Sequence, residues 1–230
     1  GTGTLAFEFN PDQAPGYGTA QSWLSTNSGE QWTGQGNARI SAVNTLVEDT
    51  FTDAPGTLLE NHTPEVGGPW AQGAAANYTI QNNEVQRLTG TAAGRAWINA
   101  GSSDITASMR VLTDFGNGQH VLGVRQFGDD TDPAYDGRIN NGANELRITE
   151  AGTGTVRSAA QVTTAPWTLT VSAVGNVVTA WLDDGLSLSY NAAVNGQTNT
   201  YASFLSTGSD INTGWRMDNF KVTSITDTPS

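Results

Sequence analysis

The stretch from residue 167 to residue 190, WTLTVSAVGNVVTAWLDDGLSLSY, most narrowly limits the folds open to this chain. Apolar and polar residues alternate in three short runs, which is the pattern of half-buried antiparallel strands. Gly175-Asn176 and Asp183-Asp184-Gly185 separate the runs and supply residues that tolerate positive φ. The stretch therefore predicts a β-meander, in which Trp181 lies on the face of the second strand opposite Leu182.

Similar short runs fill the sequence from residue 42 onward, and none has helical period. They include a hairpin at residues 78–88 around Asn82-Asn83, long strands within 104–115 and 120–127, a pair at 145–150 and 156–162, and a closing strand at 215–225. Residues 128–142 are interpreted as an acidic loop. About a dozen strands at regular spacing predict an all-β fold, a two-sheet antiparallel jelly-roll sandwich. The 230 residues suffice for one large domain.

The N-terminal region differs from the rest of the chain. Leu5, Phe7 and Phe9 alternate as one short strand, and a Ser, Gly, Gln and Asn-rich region with isolated Trp23 and Trp32 follows. We expect residues 1–44 to form an arm or linker that docks on the domain or on a neighbouring subunit, and residues 45–230 to form the sandwich domain. The alternative is that residues 1–44 are the tail of a preceding domain.

Charge and composition exclude several classes of function. The chain has 22 acidic and 10 basic residues, a formal net charge of −12, so nucleic acid is not an expected partner. No apolar run approaches the length of a membrane span, so membrane insertion is not expected. The sequence has no cysteine, which excludes disulfides and thiolate metal sites.

The order of these features resembles a known superfamily. An opening strand DTFTD at residues 49–53, a long loop closing on Trp70, the Asp-Asp-Gly turn of the meander and a terminal strand with Asp218-Asn219-Phe220 are similar to the concanavalin A-like, laminin-G-like jelly-roll superfamily. The resemblance covers roughly residues 46–225. The text GTLLENHTPEVGGPW, residues 56–70, also resembles modules of this superfamily in bacteriophage structural and tail proteins.

The resemblance implies a site for carbohydrate and raises the question of catalysis. Glycosidases of this fold with a laminarinase-like site carry a Glu-x-Asp-x-Glu strand, which places carboxylates on one face. That motif is absent, so the sequence predicts no catalytic residue and no enzyme. Asp129, Asp130, Asp132 and Asp136 lie in the Gly- and Pro-containing acidic stretch, and their charges are interpreted as solvated loop charge.

Glycan binding requires an aromatic face for stacking and planar hydrogen-bonding groups around it. The resemblance places four residues near the rim or the concave sheet, namely Arg125, Tyr135, Trp70 and Trp97. These are the predicted ligand-binding residues. For Trp97, between Ala96 and Ile98, the alternative is a core position; for Trp70 it is a role in pinning its own loop.

Calcium is the predicted cofactor, because carboxylates and loop carbonyls are the ligands that Ca²⁺ prefers. Asp49 or Asp53 with Asp218 are the predicted structural site, tying the first strand of the domain to the last. Two alternatives remain: the acidic stretch 129–136 coordinates the ion by itself, or Asp218 and Asn219 only shape the last strand.

Together these features predict a non-catalytic surface module, carbohydrate-binding or adhesive, on a virion as a decoration or tail-fibre protein, or on a secreted or cell-surface protein. The predicted partners are a glycan or polysaccharide and, through residues 1–44, other virion or surface proteins. One alternative is a purely structural virion decoration protein without glycan binding. The other is a polysaccharide-cleaving enzyme whose site the sequence does not reveal.

Overall fold

A computed structural model describes residues 41–73, 78–87, 94–113, 118–129, 131–140, 145–160, 165–183, 185–192, 198–207 and 216–227 of the chain. These residues form fifteen strands and one short 3-10 helix at Leu59–Asn61. The strands are β1 Ser41–Asp49, β2 Ala71–Gln72, β3 Tyr78–Gln81, β4 Glu84–Arg87, β5 Arg95–Asn99, β6 Ile105–Val111, β7 Gln119–Gln126, β8 Tyr135–Asn140, β9 Glu145–Glu150, β10 Gly154–Ala160, β11 Trp167–Val174, β12 Val177–Leu182, β13 Ser187–Asn191, β14 Tyr201–Thr207 and β15 Arg216–Asp227. No helix in these ranges is long and apolar enough to cross a membrane.

The strands form two antiparallel sheets, and the predicted jelly-roll sandwich is confirmed. The first sheet has the order β13-β12-β11-β6-β15-β4-β3, with β1 paired to β15. The second sheet has the order β10-β9-β8-β7-β14-β5-β2. Neighbours such as β6 and β15 or β7 and β14 lie far apart in sequence, which is the crossover connectivity of a Greek-key arrangement.

The core fills the space between the sheets with the inward-facing residues of each strand. Val171 and Ala180 of the first sheet, for example, lie fully buried opposite Gly137 of the second. A Cβ at Gly137 would overlap Cγ2 of Val171 and lie 3.2 Å from Cβ of Ala180. The two layers are therefore packed so closely here that only a glycine fits.

The local patterns that were strongest in the sequence are present as strands. The meander comprises β11, β12 and β13 in the predicted order, with Leu182 buried and Trp181 half-buried on the other face. The hairpin of β3 and β4 turns at Asn82 and Asn83, whose φ values of 55° and 61° are those of a turn with two left-handed residues.

The acidic stretch 128–142 was interpreted wrongly as loop throughout. Residues Tyr135–Asn140 form β8, which pairs with β7 on one side and β9 on the other. Asp136 is only 1% exposed, so its charge is not a solvated loop charge. Gly137 and Asn140 gave the segment the composition of a turn, whereas Gly137 is required by the close approach of the opposite sheet.

The chain divides into two compact units: residues 44–224 form one, and residues 1–43 with 225–230 form the other. The predicted strand at Leu5, Phe7 and Phe9, and the isolated Trp23 and Trp32, lie outside the described residues. The expected arm at residues 1–44 therefore stays a prediction.

Candidate functional site

The outer face of the second sheet carries a cluster of charged side chains on β8 and β9. In these strands Ile139, Leu146 and Ile148 point into the core, so the alternate residues point outward. Four of these outward residues are charged and lie close together: Asp136 and Arg138 on β8, with Glu145 and Arg147 on β9. We call these four residues the arginine face.

Asp136 and Arg138 form a two-pronged ion pair on one strand. The Arg138 Nε donates to Asp136 Oδ1 at 2.7 Å, and its Nη2 donates to Oδ2 at 2.8 Å. Burial raises the pKa of Asp136, although the Arg138 guanidinium acts in the opposite direction. The Arg138 side chain is 23% exposed. A buried carboxylate thus holds a partly exposed guanidinium in one orientation, which limits the entropy lost when it binds a ligand.

Arg147 on the neighbouring strand also pairs with a carboxylate two residues earlier, here the partly exposed Glu145. Its Nε donates to Glu145 Oε2 at 2.7 Å, and its side chain is 26% exposed. Arg138 and Arg147 are direct register partners, so two like charges stand side by side on the sheet. Directly opposed like charges are unfavourable, and each is offset here by the carboxylate two residues earlier on its own strand. The result is a pair of fixed planar donors beside each other.

A loop covers the adjoining part of the same sheet face. A Cβ at Gly123 of β7 would lie 2.7 Å from Cγ of Pro133, so residues near Pro133 lie directly over this strand. Arg95 is buried nearby and donates to Asp132 Oδ1 at 3.0 Å and to Ser203 Oγ at 3.3 Å. The loop therefore bounds the arginine face on the β7 side, and the ion pair between its Asp132 and Arg95 of β5 fixes its position.

Trp97 lies on the same outer face but not beside the arginines. It is partly exposed and pairs with Ser203 of β14, which in turn pairs with Gly123 of β7. Gly123 pairs with Asp136, so three strand spacings, about 14 Å, separate Trp97 from the arginine face. Of the four predicted ligand-binding residues, Trp97 has a side chain that reaches solvent.

Arg125 and Tyr135, the next two predicted residues, are both fully buried. Arg125 has a φ of 55° and directs its guanidinium to Asp104 Oδ1 at 2.8 Å and to the Gly175 carbonyl at 2.7 Å. It thereby joins β7 of the second sheet to the segments that flank β6 and β11 of the first. Tyr135 donates to Glu150 at 3.2 Å, and burial raises its pKa to about 12.

Trp70 is 3% exposed and takes part in a buried cluster with Asp49. Asp49 Oδ2 accepts from the Trp70 indole Nε1 at 2.6 Å, and Oδ1 accepts from the Phe51 backbone N–H at 2.6 Å. His62 lies between two carboxylates, 2.9 Å from Asp49 Oδ1 and 3.1 Å from Asp53 Oδ2. Burial lowers the pKa of His62, but the bonds to both carboxylates outweigh it, and the net shift is upward.

The three predicted calcium ligands are not assembled as a cation site. Both oxygens of Asp49 already accept hydrogen bonds, and Asp218 directs its oxygens to the backbone N–H and side-chain amide of Asn219 at 2.7 Å and 3.0 Å. Burial raises the pKa of Asp218. Among the described residues no group of three or more His, Asp or Glu side chains is placed to hold a metal ion. Calcium at these residues stays a prediction.

Comparisons of sequence and of structure give different results. No family model matches the chain, and no curated protein sequence matches it. Among solved structures, the CBM2 module of the evolved Dit of Lactobacillus casei BL23 phage J-1 is similar, with 10% identity and a TM-score of 0.56 over 83% of this chain and 99% of that one. The metal-free form of the VIP36 exoplasmic/lumenal domain is similar with 9% identity and a TM-score of 0.55, over 81% and 95% of the two chains. Its Ca²⁺/Man-bound form is similar with 11% identity and a TM-score of 0.51, over 82% and 99%. At these identities the comparisons establish a shared fold.

Sequence reasoning missed the arginine face because it treated β8 as loop. A signal was available in Asp136, Arg138, Glu145 and Arg147: each strand has a carboxylate and an arginine two residues apart, which places both on one face. That spacing becomes informative once the segment is recognised as a strand.

Proposed function

We propose that this protein is a non-catalytic carbohydrate-binding module and that the arginine face contacts the glycan. The observation that carries the proposal is the bidentate pair between buried Asp136 and partly exposed Arg138. Such a pair orients planar donors and so reduces the side-chain entropy lost on binding, and the vicinal hydroxyls of a sugar can accept hydrogen bonds from a planar guanidinium. The fold shared with the phage CBM2 module and the Ca²⁺/Man-bound VIP36 domain supports the same class of ligand.

Binding would use the outward atoms of both arginines, while Glu145 accepts hydrogen bonds from sugar hydroxyls. Arg147 and Glu145 have side-chain exposures of 26% and 31%, so both are accessible in part. Trp97 remains a proposed contact for a longer glycan, as the stacking platform at the far side of the same sheet face. Arg125, Tyr135 and Trp70 were predicted from the sequence as direct ligand contacts; because all three are buried, we propose that they support the fold of the module and do not contact the glycan.

The test is glycan-array screening followed by calorimetry with Arg147→Met. The substitution keeps the apolar stem of the side chain and removes the hydrogen-bond donors. A glycan that binds the wild type on the array should therefore bind the variant with an affinity lower by about tenfold or more. Arg216→Met is the matched control, because Arg216 also pairs with a glutamate, Glu84 at 3.0 Å, on the other sheet. Equal affinity of wild type and Arg147→Met for every glycan on the array would refute the assignment.

The biological setting is a further part of the proposal. We place the module on a virion, as a decoration or tail-fibre element, or on a secreted or cell-surface protein, with residues 1–44 contacting neighbouring proteins. Support comes from the phage-like text of residues 56–70 and from the shared fold with a phage Dit module. Cross-linking mass spectrometry on the native assembly tests it, because the arm should give links to a different protein.

Two finer points are tested on the same preparation. If Asp49, Asp53 and Asp218 bind calcium, restoring Ca²⁺ after chelation should release or absorb heat of binding and raise the Tm. Absence of both effects would refute the calcium site. The non-catalytic assignment predicts that a bound polysaccharide is recovered at its original length after long incubation. Release of shorter products would favour the enzymatic alternative.

A further inference from the structure

A second polar site lies on the outer face of the first sheet. A cleft of about 280 Å³ opens there, lined in part by Glu48, Ser108, Arg110, Thr168, Asn219 and Lys221. We call it the Arg110 cleft. Its volume is just below the range of about 300–1,000 Å³ that is typical of sites for drug-sized ligands, and it suits a single monosaccharide unit.

A β-bulge shapes the cleft. Asp218 of β15 pairs with Arg110 of β6, and Lys221 pairs with Ser108, so two residues of β15 oppose one residue of β6. Asn219 has a φ of 52°, and Phe220 is turned fully into the core. The bulge leaves Asn219 and Lys221 on the outer side, both lining the cleft. Bulges and left-handed non-glycine residues often re-aim side chains next to binding sites.

Arg110 is the unusual group in this cleft. Lys221 is balanced by Glu48, with Nζ to Oε1 at 3.1 Å. Arg110 is exposed and makes no hydrogen bond or ion pair to any residue that the structure describes. Its register partner Asp218 directs both oxygens to Asn219, and the charge of Arg110 acts on that carboxyl only through space, where it lowers the pKa of Asp218 against the larger effect of burial. In a chain with 22 acidic and 10 basic residues, an arginine at a cleft that has no ion pair to any described residue is a ready contact for an anionic ligand group.

The surroundings of the cleft are rich in hydroxyl groups and include an aromatic ring. One cross-strand row runs from Trp181 through Thr170 and Ser108 to Lys221. Trp181 is half-buried and lies two strand spacings, about 10 Å, from Ser108. An indole face at that distance suits stacking of a neighbouring sugar unit while another unit occupies the cleft.

We propose that the Arg110 cleft binds a carboxylated sugar unit of an acidic oligosaccharide. Arg110 pairs with the carboxylate; Lys221, Asn219 and the hydroxyls of Ser108 and Thr168 bond the ring hydroxyls; Trp181 stacks on an adjacent unit. This site is on the opposite sheet from the arginine face, and it stands whether or not that face binds a glycan.

The test is calorimetry with tri-galacturonate, a neutral galactose trisaccharide and citrate. Tri-galacturonate should bind wild type, and the other two should bind at least about tenfold more weakly, because the site requires a carboxylate and a sugar ring together. Arg110→Met should weaken tri-galacturonate binding about tenfold or more, and Arg110→Lys by less, since it retains the charge without the planar donors.

Matched variants separate this site from others. Arg157→Met, which also removes an exposed arginine without a described carboxylate partner, should leave binding unchanged. Equal binding by wild type and Arg110→Met, equal binding of citrate, or no binding of tri-galacturonate would each overturn the proposal. Loss in Arg147→Met with no loss in Arg110→Met would also overturn it, and would leave the proposed function of the arginine face intact.

Discussion

The carboxylate of Asp49 accepts a hydrogen bond from the indole Nε1 of Trp70 at 2.6 Å, with both residues buried. This bond joins residues 21 positions apart and attaches the end of the loop to the end of β1, and the Trp70 ring packs against Phe204 and Phe220 with centroids 5.3 Å and 5.0 Å away. The loop between Asp49 and Trp70 has no regular sequence pattern. One hydrogen bond joins its two ends, and an aromatic cluster packs around the second of them.

Trp70→Phe should destabilise the domain by about 1–3 kcal/mol. The substitution retains an aromatic ring but removes the donor, and a buried carboxylate that loses a hydrogen bond carries a desolvation cost. Urea denaturation followed by circular dichroism measures the change. Trp181→Phe is the control, because Trp181 is half-buried on an outer sheet face and should cost less. Equal losses from the two substitutions would contradict the role of the Asp49 bond.

Arg125→Ala should reduce stability and leave glycan affinity unchanged for the folded fraction. The fully buried guanidinium links β7 to Asp104 and to the Gly175 carbonyl, so its removal leaves partly buried acceptors without that donor, at about 1–3 kcal/mol. Denaturation and calorimetry on the same sample separate the two effects. Unchanged stability with weaker glycan binding would instead support the direct ligand contact predicted from the sequence.

Gly137→Ala should destabilise the domain by about 1–3 kcal/mol or more, because the new methyl group overlaps Val171 of the opposite sheet. Gly68→Ala is the control, since a Cβ there meets nothing within 4 Å. Adding Val171→Ala to Gly137→Ala should restore part of the loss in a double-mutant cycle, because it removes the overlapping methyl groups. A purely additive cycle would show that the strain arises elsewhere.

The two histidines should titrate in opposite directions from their ordinary value of 6.5. His62 has a raised pKa, so its contribution to stability is complete below pH 6.5 and is lost as the pH rises through its folded pKa. Burial lowers the pKa of His120 to about 3, so its contribution is present above pH 6.5 and is lost as the pH falls toward 3. NMR titration of the imidazole protons measures both values. Two titrations centred near 6.5 would contradict the buried environments.

The meander was predictable because its apolar spacing and its turn residues act locally. Gly175 and Gly185 have φ values of 53° and 95°, and these are conformations that the turn chemistry of the sequence indicates directly. Pairings such as β6 with β15 join residues about a hundred positions apart, and no local pattern specifies them.

The candidate site was less predictable for a related reason. Arg125 and Tyr135 were selected as polar and aromatic groups beside a loop, yet burial depends on which layer covers them. Asp136 was interpreted as solvated because glycines and prolines surround it, whereas it lies on a central strand with its carboxylate paired to the Arg138 guanidinium on the outer face. The environment of each of these side chains is set by residues that are distant in sequence and that contact it from other strands.

Mapping of backbone amide shifts on addition of a glycan that scores on the array is the most direct test of the proposed function. Binding at the arginine face should move the signals of residues 136–140 and 145–150, and these changes should disappear in Arg147→Met. Shifts confined to the strand ends around Arg125, or an array on which no glycan binds, would contradict the account.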